Sequence, residues 1–234
     1  MIDVVVPTVG RPSVAALLSS LARELPGTST VVVVDDRPGG ASPPLPVPDD
    51  PRVRVVAGGG RGPAAARNSG WRATAAPWVA FVDDDVDLPL GWVRGLEEDV
   101  ARAADRVAAV QGRIEVPLPA GRRPTDWERN VAGLAGARWI TADMAVRREA
   151  LEAVGGFDER FPRAYREDTD LALRLLEAGW ELHRGARRTR HPVRPAPWWV
   201  SVPAQRGNGD DVLLARLHGR DWRDRMGAAP GTFR

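Results

Sequence analysis

Short runs of valine and other apolar residues recur through the first third of the chain, and each stops at a Pro, Asp or Gly. They lie at residues 2–7, 30–34, 53–57 and 78–82. Apolar residues recur at helical spacing over 14–25, and a second helix is predicted over 63–75. Strands that alternate with helices in this way predict an α/β fold with a mixed, mostly parallel sheet flanked by helices.

The second half of the chain continues the pattern less regularly. Further helices are predicted over 91–104, 147–154, 169–178 and 210–218, and further strands over 107–110 (extending toward Val116), over 139–146 and from 180 onward. No segment has the composition of a linker between folding units. We therefore expect residues 1–234 to form a single domain.

Each of the early strands is followed by polar or flexible residues. Parallel α/β sheets bind ligands at the carboxyl ends of their strands. We therefore expect one crevice to collect four segments that are distant in sequence: Pro7-Thr8, Asp35-Asp36, Gly58–Gly60 and Asp83–Asp85.

Composition excludes several classes of enzyme. The 234 residues include no cysteine, and all 33 basic residues are arginine. Without cysteine there is no disulfide, thiolate metal site or cysteine nucleophile, and without lysine there is no Walker A loop or Schiff base. HExxH and GxSxG motifs are also missing from the sequence. Acids and bases are mixed, the net charge is only +2 and no nucleic-acid motif occurs, so we expect no nucleic-acid partner.

The sequence gives two indications about membranes. No apolar run approaches the roughly 20 residues that span a bilayer, and the first seven residues resemble a strand more than a signal peptide. The cytoplasm is therefore the expected location. Trp198 and Trp199 are candidates for stacking on a sugar, forming a lid or making a peripheral membrane contact, with packing in the core as the alternative.

Three consecutive carboxylates follow the strand at 78–82. On an extended backbone, Asp83 and Asp85 point to one side and Asp84 to the other. Two carboxylates on one side form a hard oxygen site that suits Mg²⁺ or Mn²⁺. The alternative is a solvated acidic turn.

Two acidic residues, Glu167 and Asp168, begin a strongly apolar helix. One of them is a candidate general base, because a carboxylate beside a bound sugar can take a proton from an attacking hydroxyl. Capping and the helix dipole explain acids at this position equally well. His191, which follows a predicted strand, is a candidate third metal ligand or a structural histidine.

Other polar residues near the predicted crevice have less specific signals. Asp35 and Asp36 can accept hydrogen bonds from a base or ribose. The alternative is a simple turn, because the sequence Asp-Arg-Pro-Gly-Gly is rich in residues that favour turns. The glycine-rich bend at 58–62 fits a dinucleotide fingerprint poorly because proline follows it. On the next helix, Arg67 lies beside Asn68 and is a candidate for contact with a phosphate or carboxylate.

Taken in order, these segments resemble the family 2 glycosyltransferases of GT-A fold. The resemblance covers about residues 1–192 and rests on VVVPTVGRP, VVVVDDRPGG, GGGRGPAAARNSGW, FVDDDVDLP, TADMAVRREALEAVGGFDERF and REDTDLALRLLEAGW. It implies a GT-A, Rossmann-like fold in which residues 1–115 bind the nucleotide sugar. Residues 116–234 would then form the acceptor-binding half with a C-terminal tail.

The resemblance also implies a reaction. The implied reaction is a metal-dependent, inverting transfer of a sugar from a UDP- or GDP-sugar to an acceptor hydroxyl. Asp168 of the Glu167-Asp168 pair would be the base, and Asp83 and Asp85 would be the outer aspartates of a DXD motif that binds Mn²⁺ or Mg²⁺. His191 matches a metal-binding histidine of some relatives. The implied nucleotide-sugar-binding residues are Pro7, Thr8, Arg11, Asp35, Asp36, Arg67, Asn68, Asp83, Asp84 and Asp143.

Two other functions fit parts of the pattern. A nucleotidyltransferase uses a related fold but would be expected to have a basic, glycine-rich loop near its N-terminus, where this chain has only Arg11 and little glycine. A non-catalytic nucleotide-sugar-binding module would not need both the metal-site candidates and the base candidates.

Overall fold

The apolar runs of the sequence form strands of one mixed sheet. The computed structural model describes residues 1–39, 43–196 and 208–227. Within these residues the strands are β1 (Ile2–Thr8), β2 (Val31–Asp35), β3 (Val53–Ala57), β4 (Trp78–Val82), β5 (Val107–Glu115), β6 (Asp143–Arg147) and β7 (Glu181–Arg190). Their order is β3-β2-β1-β4-β6-β5-β7, and only β6 runs against its neighbours. The predicted mixed, mostly parallel sheet is confirmed.

The helices lie between these strands and beyond the last of them. They are α1 (Ser13–Glu24), α2 (Pro63–Arg72), α3 (Trp92–Ala101), α4 (Asp126–Ala132), α5 (Arg148–Val154), α6 (Glu167–Glu177), α7 (Asn208–His218) and α8 (Trp222–Met226). Sequence analysis did not predict α4 or α8. The strand expected over 139–146 begins only at Asp143, because Trp139 adopts a left-handed backbone with φ of 62° that a strand does not allow and residues 141–142 form a turn.

Alternation along the strands divides the core between the two faces of the sheet. Val4 and Val6 of β1 pack on the face covered by α1 and α3, and Val5 packs on the face covered by α2, α5 and α6. A third apolar cluster includes Leu214 and Trp222 and holds the two C-terminal helices against α6. The second half of the chain is thereby fixed beside the carboxyl edge of the sheet.

The parallel register brings the polar ends of the strands together. Thr8 is the register partner of Asp35, and Asp35 is the partner of Ala57. Beyond the ladder, the Asp36 amide donates to the Thr8 carbonyl at 2.8 Å, and the Gly58 amide donates to the Asp35 carbonyl at 2.8 Å. The segments that we expected to share a crevice therefore begin at one edge of the sheet.

Two observations bear on membrane contact. The helices that the structure describes include none with the length and apolar character needed to cross a bilayer. Trp198 and Trp199, the candidates for a lid or a membrane contact, lie outside the described residues.

Candidate active site

A large cavity, with a volume of about 2140 Å³, opens at the carboxyl edge of the sheet. One side, which we call the strand end, is formed by residues such as Thr8, Asp36 and Asp85. The rest of the cavity wall, which we call the helix end, is formed by α4, α7, α8 and the segments beside them, including Arg138 and Arg216. Asp168 at the start of α6 also lines the cavity, so the candidate base and the candidate metal ligands share one space.

Three candidate metal ligands converge at the strand end. Asp83, Asp85 and His191 each offer one ligand atom, and these atoms lie within 4.8 Å of one another. The two aspartates follow β4, and His191 follows β7. A short bridge brings the two segments together, because the Asp87 amide donates to the Arg190 carbonyl at 2.7 Å and the Arg190 amide donates back at 3.0 Å.

The residues of this cluster fit a divalent cation. His191 is buried, and its Nδ1 has no hydrogen-bond partner among the described residues, while its Nε2 lies 3.5 Å from Asp85 Oδ1. An imidazole with two carboxylates is a donor set that transition metals such as Mn²⁺ accept. The other Asp85 oxygen forms an ion pair with Arg194, at 2.9 Å from Nε. Sequence analysis missed this partner, because no pattern around Arg194 indicates where its side chain lies.

Asp84 is separated from this cluster, although residues 84–85 form a turn and not the extended backbone that the prediction assumed. It is buried and accepts hydrogen bonds from Thr8 Oγ1 and Arg11 Nη1, both at 2.5 Å. Burial raises its pKa, and the contacts with Thr8 and Arg11 act in the opposite direction. The three side chains together fix the start of the acidic loop against the end of β1.

A buried arginine joins the acidic loop to α6. Arg67 is only 3% exposed, and its Nη2 donates to Asp83 Oδ1 at 2.9 Å while its Nη1 donates to Glu167 Oε1 at 2.8 Å. Arg67 therefore faces carboxylates, one of the two partners that the sequence indicated. The pKa of Glu167 is raised to about 8, first by burial and then by the charge of Asp168, with Arg67 opposing the rise.

Asp168 is the carboxylate of α6 that reaches the cavity. It is half-buried, and its Oδ1 accepts from the amide of Thr169 at 2.7 Å. The loss of hydration raises its pKa, although Arg67 opposes the rise. Arg166, two residues earlier, has a left-handed φ of 75° that turns the chain into the helix. Asp168 is thus a carboxylate on the cavity wall with a raised proton affinity, as a general base requires.

Asp35 and Asp36 have different surroundings. The carboxylate of Asp36 lines the cavity and accepts from the amides of Arg61 at 3.0 Å and Gly62 at 2.9 Å, which anchors the glycine-rich bend. Asp35 does not line the cavity, because Arg37 binds both of its oxygens at 2.8 and 2.6 Å. These hydrogen bonds lower the pKa of Asp35.

Asn68 is also placed away from the cavity. Its side chain is buried and exchanges hydrogen bonds with the backbone of Phe157, donating to the carbonyl and accepting from the amide at 2.9 Å each. It also accepts from Trp71 Nε1 at 3.0 Å. Asn68 therefore fixes the segment before α6 to α2, and the expected contact with a nucleotide sugar has no support from its position.

Asp143 differs most from its expected position at a sugar. It is fully buried inside the sheet and accepts from Arg187 Nε at 2.8 Å, from Trp92 Nε1 at 3.0 Å and from Thr189 Oγ1 at 2.5 Å. Arg187 also donates to Asp99 at 3.0 Å. Because these partners from α3 and β7 surround the carboxylate, it does not line the cavity.

We expect Arg187→Met to lower the free energy of unfolding by about 3–5 kcal/mol, because it leaves the buried carboxylates of Asp143 and Asp99 without a cation. Urea unfolding followed by circular dichroism measures the change. Arg188→Met is the matched control: Arg188 is exposed and pairs with Glu115, so its loss should cost less than about 1 kcal/mol. Equal unfolding midpoints for the two variants would contradict the structural role of Arg187.

One helix of the cavity wall carried a signal that sequence analysis overlooked. Thr125 caps α4 by accepting from the amide of Glu128 at 3.2 Å, and the Glu128 side chain accepts from the Thr125 amide at 2.7 Å. This Thr-x-x-Glu capping box is visible in the sequence. The helix brings Trp127 and Asn130 to the cavity.

Comparison with known proteins gives a family match. The model of the family described as "Glycosyl transferase family 2" matches residues 3–153. The pre-mycofactocin glycosyltransferase of Mycobacterium tuberculosis is 36% identical over 137 residues, which are 52% of this chain and 28% of that protein. The succinoglycan biosynthesis protein ExoO of Rhizobium meliloti is 40% identical over 98 residues, covering 41% of this chain and 28% of that protein. The matched part thus spans just over a quarter of each relative.

Solved structures share the fold. The mannosyltransferase PcManGT from Pyrobaculum calidifontis, in complex with GDP-Man and Mn²⁺, has a TM-score of 0.65 and 22% identity over 98% of this chain and 65% of that one. GalNAc-T7, with UDP, GalNAc and Mn²⁺, has a TM-score of 0.68 and 16% identity over 97% of this chain and 50% of that one. At these identities the likeness shows the GT-A fold.

Proposed function

The chain belongs to glycosyl transferase family 2, and on this premise we propose that it is a metal-dependent, inverting glycosyltransferase. It would move a sugar from a UDP- or GDP-sugar to a hydroxyl of an acceptor. One observation carries the proposal: the cluster of Asp83, Asp85 and His191 and the carboxylate of Asp168 line a single cavity at the carboxyl edge of the sheet.

We assign Asp83, Asp85 and His191 to the binding of Mn²⁺ or Mg²⁺. The donor set and the unpartnered Nδ1 of His191 support this assignment, as do the structural neighbours that contain Mn²⁺. A bound divalent cation supplies positive charge that offsets the charge on a leaving diphosphate. Arg67 holds Asp83 in place from the buried side of the cluster.

The nucleotide part of the donor is assigned to residues 1–115. Pro7, Thr8, Arg11 and Asp36 all line the strand end of the cavity, which supports this assignment. The acceptor is assigned to residues 116–234, which contribute the helix end. Asp35, Asn68 and Asp143 are assigned to holding the walls of the site, because their side chains are engaged by neighbouring residues.

In the proposed reaction Asp168 accepts the proton of the acceptor hydroxyl. The hydroxyl oxygen forms a bond to the anomeric carbon while the bond from that carbon to the diphosphate oxygen breaks. The electron pair of the broken bond leaves with the nucleoside diphosphate, and attack from the opposite face inverts the anomeric configuration. The walls of the cavity hold both substrates in attack geometry, and the raised pKa of Asp168 suits its role as the base.

Donor binding and turnover test this proposal. We expect calorimetry to show binding of UDP or GDP that strengthens when Mn²⁺ is added, because a cation held by Asp83, Asp85 and His191 would offset the negative charge of the diphosphate. Incubation with a panel of nucleotide sugars should then release nucleoside diphosphate from one donor. Binding of a nucleoside triphosphate with release of pyrophosphate would instead indicate a nucleotidyltransferase. Nucleotide-sugar binding without turnover would indicate a non-catalytic module.

A further inference from the structure

The helix end of the cavity is rich in arginine. Six arginines line it: Arg138, Arg163, Arg166, Arg216, Arg220 and Arg223. Three of them are fixed by ion pairs with α7, since Arg163 pairs with Asp210 at 3.2 Å and both Arg166 and Arg223 pair with Asp211, at 2.7 and 2.6 Å. These pairs lock α7 against the start of α6.

The remaining three arginines have no such partner. Arg138, Arg216 and Arg220 are exposed and form neither an ion pair nor a side-chain hydrogen bond with any described residue. The residues outside the described ranges include no Asp or Glu, so they offer no carboxylate side chain. The strand end differs, because every arginine that lines it is bound to a carboxylate: Arg11, Arg61, Arg67 and Arg194.

Backbone strain is found at the same end of the cavity. Trp139 and Arg166, with φ of 62° and 75°, are the non-glycine residues of the described chain that adopt positive φ. Arg166 lines the helix end, and Trp139 directly follows Arg138. Such strain persists where the surroundings enforce it, and it concentrates at binding sites. Here Trp139 packs against the apolar cluster that contains Leu214 and Trp222.

From these observations we propose that Arg138, Arg216 and Arg220 bind a phosphate group of the acceptor. The proposal rests on the proposed function and specifies its acceptor class. Guanidinium groups bind phosphate through paired, charge-assisted hydrogen bonds. The carboxyl end of α7 stabilises a cation at Arg216, but it does not explain Arg138, which belongs to another segment.

The ion pairs of α7 fix the position of this site relative to the base. Asp211 is bound to Arg166, which lies two residues from Asp168. Arg216 follows Asp211 by five residues on α7, which is about 7.5 Å along a helix axis. His218, two residues further along α7, pairs with Asp170 Oδ1 at 2.8 Å, and Asp170 lies in the same first turn of α6 as Asp168. Both ends of α7 are thus tied to the start of α6, which places the helix that carries Arg216 beside the turn that carries the base.

Direct binding of phosphate tests the inference without an activity assay. Glycerol 3-phosphate is titrated into the wild type and into the triple variant Arg138→Gln, Arg216→Gln, Arg220→Gln, with Mg²⁺ and a saturating nucleoside diphosphate to fill the strand end. We expect at least about tenfold weaker binding to the triple variant, because several charge-assisted hydrogen bonds are lost. Arg54→Gln is the matched control, since Arg54 is exposed, forms no ion pair among the described residues and does not line the cavity.

A second probe distinguishes a soluble phosphate from a lipid headgroup. Vesicles of phosphatidylglycerol and of phosphatidylcholine are sedimented with the same three proteins. Arginine-dependent binding of glycerol 3-phosphate supports a soluble acceptor, and arginine-dependent sedimentation with phosphatidylglycerol alone supports a lipid-linked one. Equal behaviour of the wild type and the triple variant with both probes overturns the inference.

Two further measurements keep the result interpretable. The single variant Arg216→Gln, checked by circular dichroism, repeats the titration with less risk to folding, and it should bind glycerol 3-phosphate more weakly than the wild type. Binding of nucleoside diphosphate to the wild type is measured separately. If the wild type did not bind nucleoside diphosphate, the proposed function would be contradicted. The glycerol 3-phosphate titration alone decides whether the acceptor site exists.

Discussion

Replacing Asp168 with asparagine is expected to lower kcat by about 10²–10⁴-fold, the usual contribution of a general base. The amide keeps the size of the side chain but cannot accept the proton of the acceptor hydroxyl. Because Asp168 lines the cavity apart from the Asp83, Asp85 and His191 cluster, nucleoside diphosphate binding should be retained. Steady-state kinetics and calorimetry on the same preparation measure the two quantities.

The pH dependence gives the same variant a second readout. Burial raises the pKa of Asp168 above its ordinary value of 3.8. A protonated carboxyl cannot act as a base, so kcat/KM of the wild type should fall as the pH is lowered through this raised pKa. The residual activity of Asp168→Asn should lack that decline.

The matched control for Asp168 is Glu149→Gln. Glu149 also lies in the first turn of a helix but is exposed and does not line the cavity. If acids at these positions served only the helix dipole, the two variants would have similar small effects on stability and none on kcat. Full activity of Asp168→Asn would therefore remove the base assignment and leave a capping role.

The central fold was predictable because its signals are local. Valine-rich runs separated by helical patterns determined β1 to β4 and the helices between them, and β3 and β4 begin and end where the sequence indicated. The expected separation of Asp84 from Asp83 and Asp85 is observed, but a turn at 84–85 produces it and not the extended backbone that the prediction assumed. In each case the information lies within a few residues of the feature that it predicts.

The contacts that were not predictable join residues distant in sequence. Arg187 reaches Asp143 and Asp99 from β7, and Arg67 reaches Glu167 from α2. An arginine in a sequence does not reveal which carboxylate it will bind once the chain folds. The resemblance to a family indicated that Asp143 was noteworthy, but it did not show that buried partners enclose it.

The individual residues of the helix end of the cavity were not predicted, for a different reason. Its residues come from α4, α7, α8 and the segment around Arg138, and sequence analysis predicted only α7 of these helices. Helices as short as α8 carry a weak periodic signal. The sequence does not show that Trp222 anchors α8, because this role depends on its packing near α6 in the folded chain.

Asp85→Asn is expected to weaken Mn²⁺ binding by about 100-fold or more. Replacing a residue that only hydrogen-bonds to a metal ligand typically lowers metal affinity by about 10–100-fold, and Asp85 is assigned as a ligand itself. The reason is geometric: Asp85 contributes one of three ligand atoms that lie within 4.8 Å of one another, and asparagine removes its charge. Calorimetry with Mn²⁺, with and without nucleoside diphosphate, measures the affinity, and release of nucleoside diphosphate from the donor should fall with it.

Asp87→Asn is the matched control for the metal site. Asp87 belongs to the same acidic loop but is exposed and does not line the cavity, and it holds Arg190 through backbone groups that asparagine retains. Its Mn²⁺ affinity should therefore match that of the wild type. If Asp85→Asn and Asp87→Asn bound Mn²⁺ equally well, the loop would be a solvated acidic turn. The charge of the leaving diphosphate would then have to be balanced by arginines of the cavity.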